Sequence, residues 1–261
     1  MALVRQGFFQ SREKAKRAIM AGLVFVDGQL SDKAGNLIKE DAVITVKGNN
    51  CPFVSRGGLK LAKAIEKFNL DLKDKIAMDV GASTGGFTDC MLQNGAIKVY
   101  SIDVGYGQLD WKLREDPRVV NMEKCNFRYL TSEEISDAIE FASIDVSFIS
   151  LKLIFPVLWT LMKDGGKVVA LVKPQFEAGK EQVGKNGIVR EKKVHLEVLE
   201  RVFSFAAESG FKPENLSFSP ITGAKGNIEY LLELVKGDKM GYNVDKSLIE
   251  GVVNEAHSSL A

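Results

Sequence analysis

The 261 residues are 45% hydrophobic and 26% charged, with a formal net charge of +1. That is the profile of an ordinary soluble globular chain, long enough for one large or two modest domains. The longest apolar run, LIFPVLWTLM at 153–162, contains Pro156 and is about half of what spans a bilayer, which argues against a membrane protein. The charged opening MALVRQGFF lacks the apolar run of a secretory leader. Cys51, Cys90 and Cys125 have neither disulfide nor metal-ligand spacing, so a cytoplasmic protein with reduced thiols and no metal is expected.

Charge is unevenly spread. Residues 1–60 hold ten Lys and Arg against five Asp and Glu, whereas the rest hold 25 against 29. A basic front end on a mildly acidic body suits a module that grips a polyanion; a plain solvated charged face would look the same. The front reads as a helix followed by a hairpin. Ser11 is placed to cap a helix that stops at Gly22. Ala15, Ala18 and Ile19 form its apolar stripe, and Arg12, Lys16 and Arg17 lie on the other side. LVFVDGQ is a strand entering an Asp27-Gly28 turn, and DAVITVKG is a second alternating strand. The stretch SREKAKRAIMAGLVFVDGQ resembles the core signature of the ribosomal S-four type RNA-binding module, over residues 1–47. The resemblance implies RNA contacts through Arg12, Lys16 and Arg17. The module normally opens several residues earlier, so a shortened first helix is expected.

Residues 48–58, GNNCPFVSRGG, read as a linker. Buried-strand runs follow at 75–81, 98–105, 118–126, 141–148 and 166–174, with helix-like stretches at 86–94, 108–116, 132–140 and 151–163. Alternation of this kind implies an α/β fold, an open Rossmann-like parallel sheet covered on both faces, whose ligands bind at the strand C-terminal ends. A long polar insert precedes an amphipathic helix at 192–210; LSFSP and IEYLLELVKG supply late strands, and 241–261 a packing helix. The larger domain is thus expected over 59–240.

The first strand runs into DVGASTGGFTD, residues 79–89. Glycines between a strand and a helix let a ligand approach the main chain. A dinucleotide fold wants G-x-G-x-x-G with an acidic residue about 20 positions on, a place that Asp103 fills. However, Ala82 replaces the second glycine. Asp79 ahead of the loop would repel a pyrophosphate but suits a cationic ligand. The pattern favours S-adenosylmethionine over a dinucleotide, with a purely structural turn behind both. Asp79, Gly81, Ala82, Ser83, Thr84, Gly85 and Gly86 are the expected lining of its methionine end. Asp103 is expected on the ribose, Asn126 at the adenine and Asp145 beside them. Ser83 and Thr84 could equally be helix caps.

DVGASTGGFTD resembles the donor loop of the TlyA family, and more loosely that of the FtsJ-type RNA ribose methyltransferases. FVSRGGLKL, DVGYGQLDWKLR, IDVSFISL, LVKPQFE and GNIEYL extend the resemblance, in order, over nearly the whole chain. It implies an S-adenosylmethionine-dependent methyltransferase acting on cytidine 2′-hydroxyls of ribosomal RNA, in a family many of whose members carry a hemolysin label.

Methyl transfer to a ribose hydroxyl needs that weak nucleophile placed close to the methyl carbon and relieved of its proton. Lys173, leaving the buried run VVALV, is a partly desolvated lysine suited to accept the proton or to steady the oxyanion, and Asp145 on the neighbouring strand end could orient it. An ordinary ion pair is the competing reading. The FtsJ-type resemblance implies a Lys-Asp-Lys-Glu set here made of Lys60, Asp145, Lys173 and Glu229, with Lys60 and Glu229 orienting the ribose. Arg56, and Lys180, Lys185 and Arg190 on the insert 177–191, are candidate RNA contacts, the last three on either a mobile lid or a solvated loop. His195 and His257 read as surface residues. A cytolysin would need a membrane-inserting segment, and none is visible. A non-catalytic RNA-binding protein would not require the four charged residues together. No obligate protein partner is evident.

Overall fold

Five apolar runs become five parallel strands in the computed structural model of the chain. It describes all residues except 1, 7, 10, 11, 21, 37, 40, 41, 47–50, 224, 238–244 and 261. The chain divides into two compact units, Met1–Pro52 and Phe53–Ala261.

In the front unit, α1 (Ala2–Arg5) and α2 (Arg12–Met20) accompany three short antiparallel strands, β1 (Val24–Val26), β2 (Gln29–Leu30) and β3 (Ile44–Val46), in the order β2-β1-β3. The Asp27-Gly28 turn has φ of 49° and 79°, the left-handed pair that a two-residue hairpin needs. Asp27 also accepts the Val43 N–H at 2.8 Å, tying the hairpin to the third strand. Ala15 and Ala18 on α2 pack with Leu3, Val24 and Ile44, while Arg12, Lys16 and Arg17 stay exposed. Ser11 and residues 48–50 of the expected linker lie outside the described residues.

The second unit opens with α3 (Gly57–Lys67), so Gly57 and Gly58, read from sequence as linker, form its first turn. There follow β4 (Ile76–Val80), α4 (Gly86–Gln93), β5 (Lys98–Ile102), α5 (Trp111–Arg114), β6 (Val119–Met122), β7 (Ile139–Ile144), α6 (Phe155–Leu161), β8 (Met162–Val172), α7 (Pro174–Glu177), α8 (Lys192–Glu208), β9 (Phe211–Phe218), β10 (Tyr230–Lys236) and α9 (Lys246–Leu260). The sheet order is β6-β5-β4-β7-β8-β10-β9, the first five strands parallel and the last two antiparallel. The helix expected at 132–140 does not form. Glu134 turns back to accept the Thr131 N–H at 3.0 Å, closing a short turn, and the strand already begins at Ile139. Only one helical turn forms within 108–116.

Helices cover both faces of the sheet, as a mainly parallel sheet requires. Met78, Val80, Ala142, Ile144, Val168 and Ala170 join the core shared with α6, α8 and α9. Their neighbours Ala77, Phe141, Val169, Leu171 and Leu231 join the core shared with α3 and α4. Because side chains alternate along a strand, Asp79, Asp145, Lys173 and Glu229 all fall on the α3/α4 side. The chain reaches β6 on one side of β4 and then crosses back to β7 on the other, so β4 and β7 border the topological switch point where such sheets bind ligands.

Candidate active site

Beyond β4 the loop 81–86 is shaped by close approaches. Gly81 sits at φ 89°, and a Cβ there would lie 2.6 Å from the Asp145 carbonyl oxygen, so only glycine lets β4 and β7 diverge so tightly. Gly85, also at φ 89°, enters α4, and a side chain there would strike Leu113 and Leu109. Its role is packing against α5, away from the cleft lining. Gly86 brings α4 against α3, with the Gly58 nitrogen 2.8 Å from where a Cβ would stand.

The loop floors a cleft of about 760 Å³ whose lining includes Arg56, Lys60, Gly81–Thr84, Gly86, Asp145 and Lys173. An adjoining cavity of about 380 Å³ shares Gly81, Ser83, Asp145 and Ser147 with it and is lined further by Asp103, Asn126 and Phe148. The Asp103 carboxylate is fixed at the end of β5 by the Ser83 and Gly105 N–H groups, at 2.8 and 2.7 Å. Asn126 caps the following turn through the Arg128 N–H.

Asp79 departs from the expected lining. Its side chain is fully buried and accepts the Thr88 N–H and hydroxyl at 2.8 and 2.7 Å and the Ser143 hydroxyl at 3.2 Å. Strand alternation turns it beneath α4, where it ties the first turn of that helix to the sheet. Burial, with a lesser push from Asp145, raises its pKa to about 7. The carboxylate that faces the loop from the cleft is Asp145.

Two lysine–carboxylate pairs stand on this face. Lys173 Nζ lies 2.5 Å from Asp145 Oδ1 and donates to the Ser147 hydroxyl at 3.0 Å. Lys60 Nζ, from the first turn of α3, meets Glu229 Oε2 at 2.6 Å, just ahead of β10. Lys60 is 9% exposed and Glu229 3% exposed, so both partners are shut in. Gly223 covers Glu229, since a Cβ there would sit 2.6 Å from Oε1.

Several residues at the site escaped the sequence reading. Phe148 has φ 63° and is 90% exposed, its ring 4.8 Å from that of Phe176. Glu177 accepts the Ser150 hydroxyl and the Leu151 N–H at 2.7 and 2.8 Å, clamping the loop after β7 to α7; burial raises its pKa. The motifs DVSF and KPQFE hold these residues, but an exposed ring cannot be told from a buried one by type. Arg56, Lys180, Lys185 and Arg190 are exposed as expected of nucleic-acid contacts. The histidines differ from expectation. His195 is completely buried between Tyr230 and Val189, burial lowering its pKa to about 4, and its ring meets that of His257 edge-on at 4.8 Å. Its position on the inner face of α8 explains this. Among the described residues no cluster of side chains could hold a metal ion, and no helix is long and apolar enough to cross a membrane.

An open, mainly parallel α/β sheet with a bare loop and charged pairs at its switch point defines a Rossmann-like fold of the methyltransferase type. Residues 53–236 match the FtsJ-like methyltransferase model and residues 1–44 the S4 domain model. The chain belongs to the FtsJ-like methyltransferase family and carries an S4 domain at its front. It is 56% identical over 262 residues to YqxC of Bacillus subtilis, covering 99% of this chain and 93% of that one. It is 41% identical to the 16S/23S rRNA (cytidine-2'-O)-methyltransferase TlyA of Mycobacterium tuberculosis, covering 89% and 87%. A solved structure from Streptococcus thermophilus that bears a hemolysin label superposes with a TM-score of 0.82 at 53% identity, covering 98% and 94%.

Proposed function

We propose that this chain is a cytoplasmic enzyme that methylates ribose 2′-hydroxyls of ribosomal RNA, at cytidine, with S-adenosylmethionine as donor and the S4 domain holding the RNA. The observation that carries the reading is the Lys173–Asp145 pair at the mouth of the switch-point crevice, with Lys60–Glu229 on the same face of the sheet.

The crevice suits the donor. Gly81 and Ser83 line both cavities, Asp103 presents an anchored carboxylate for ribose hydroxyls, and Asn126 lines the same cavity for adenine. Bound there, S-adenosylmethionine supplies an electrophilic methyl group. The residues do the rest. Lys173, held by Asp145 and Ser147, steadies the charge that develops on the ribose oxygen, and the hydroxyl proton passes into the Lys173–Asp145 pair. Lys60 and Glu229 orient the sugar from below. The exposed Phe148 ring offers a face on which a nucleobase can lie.

The test is transfer of tritiated methyl from donor to ribosomes, separated subunits and free ribosomal RNA, with Lys173→Ala alongside. Labelling that depends on Lys173 and maps to a cytidine ribose supports the reading. Equal labelling by both proteins removes the catalytic assignment, and donor binding without labelling points to a non-catalytic RNA-binding protein.

A further inference from the structure

The insert between α7 and α8 is a folded strap, and two side chains outside it, Asn227 and His195, hold its far end. Two short helical turns, Lys180–Gln182 and Lys185–Gly187, build it, and Gly184 N–H closes onto the Ile188 carbonyl at 3.0 Å. Val189 is its anchor. The side chain is 3% exposed within the main core, and both backbone polar groups are taken. Its N–H donates to Asn227 Oδ1 at 3.0 Å, and its carbonyl accepts from His195 Nε2 at 3.1 Å. Asn227 also donates its Nδ2 to the Gly187 carbonyl at 2.9 Å. Because a carbonyl can only accept, His195 carries its proton on Nε2. Its Nδ1 therefore accepts the Tyr230 hydroxyl, 2.6 Å away.

Asn227 is 3% exposed and stands two residues before Glu229. Its own carbonyl accepts the Gly223 N–H at 2.9 Å, closing the turn whose Gly223 lies on the Glu229 carboxylate. Lys185 and Arg190 flank the anchored Val189, and Lys225 sits on that turn; all three are exposed. A carboxamide alone offers one donor and one acceptor at this reach. Aspartate would set a lone pair against the Gly187 carbonyl, and alanine would strand two polar groups.

We infer that Asn227 is a positioning residue that yokes the cationic strap to the turn seating Glu229, so that RNA phosphates gripped by Lys185 and Arg190 help fix the Lys60–Glu229 pair. The inference rests on the RNA methyltransferase reading above.

The experiment uses the full chain, ribosomal subunits and S-adenosylhomocysteine as probes. Asn227→Ala raises KM for RNA about tenfold, the size of an ordinary coupling loss, and lowers kcat, while S-adenosylhomocysteine affinity holds within about twofold. Arg190→Ala raises KM in the wild type but adds little in the Asn227→Ala background, since the strap is already uncoupled. Multiplicative effects, or a loss of donor affinity parallel to the rise in KM, would reduce Asn227 to a structural residue. Should Asn227→Ala fold poorly, Tyr230→Phe loosens the other anchor by one hydrogen bond and moves KM in the same direction; an unmoved KM overturns the inference. Hydrogen exchange supplies a readout free of catalysis. RNA binding slows exchange in 184–190 and, in the wild type alone, in 223–229. Absence of that spread overturns the yoke even if methyl transfer is confirmed, and its presence sustains the yoke even if no methyl is transferred.

Discussion

The two lysine–carboxylate pairs have almost the same length and different surroundings. At the exits of β7 and β8, Asp145 keeps a 21% exposed side chain at the cleft wall and shares Lys173 with Ser147. Below the turn ahead of β10, Glu229 keeps 3% and lies under Gly223. A pair that must exchange a proton with a substrate has to be reachable. A pair that only orients can be shut in, at the cost of leaving a buried charge whenever one partner is removed. Burial, more than distance, divides the labour between them.

The largest effect separates the pairs by activity. Lys173→Ala lowers methyl transfer roughly 10³-fold, within the range for a proton-transfer group, with S-adenosylhomocysteine affinity unchanged by calorimetry. A loss under about tenfold would move the chemistry elsewhere. The next separates them by stability. Lys60→Ala strands Glu229 and lowers unfolding stability by about 3 kcal/mol in urea titration, and adding Glu229→Gln restores much of it. An unchanged midpoint would mean that water reaches Glu229.

Exposed cations should behave unlike either pair. Reversing Arg12, Lys16 and Arg17 to Glu weakens RNA binding and flattens its log–log salt dependence by about 0.7 for each phosphate no longer neutralised, leaving donor affinity intact. Equal weakening of RNA and donor binding would make the front unit structural.

The smallest effect concerns the buried carboxyl that has no lysine. Asp79 stays protonated in the folded state up to about pH 7, whereas the unfolded chain ionises near 3.8. Its contribution to stability is therefore full below about pH 4 and lost as pH rises through 7, by at most about 1.4 kcal/mol per pH unit between 5 and 6. His195, depressed to about 4, works in the opposite direction, its contribution being lost as pH falls from 6.5. The difference between wild type and Asp79→Asn isolates the Asp79 slope in denaturation at pH 5 and 6, and identical slopes would refute the raised pKa.

Much of this was legible in the chain itself. Alternating apolar runs set the five parallel strands, because a strand buried on both faces has no other composition open to it. The Asp27-Gly28 pair fixed the hairpin, and the motifs around Lys60, Asp145, Lys173 and Glu229 named residues that the fold brings onto one side of the sheet. What pattern alone could not decide was what covers each side chain once layers pack. Asp79 and Asp145 both end apolar strands, yet one is sealed under α4 and the other opens on the cleft. His195 and Phe148 exchanged the places their types suggest, one buried on α8 and the other out in solvent at a left-handed turn. Long-range burial makes those choices, through packing between segments far apart in sequence, and no local period of two or 3.6 carries that information.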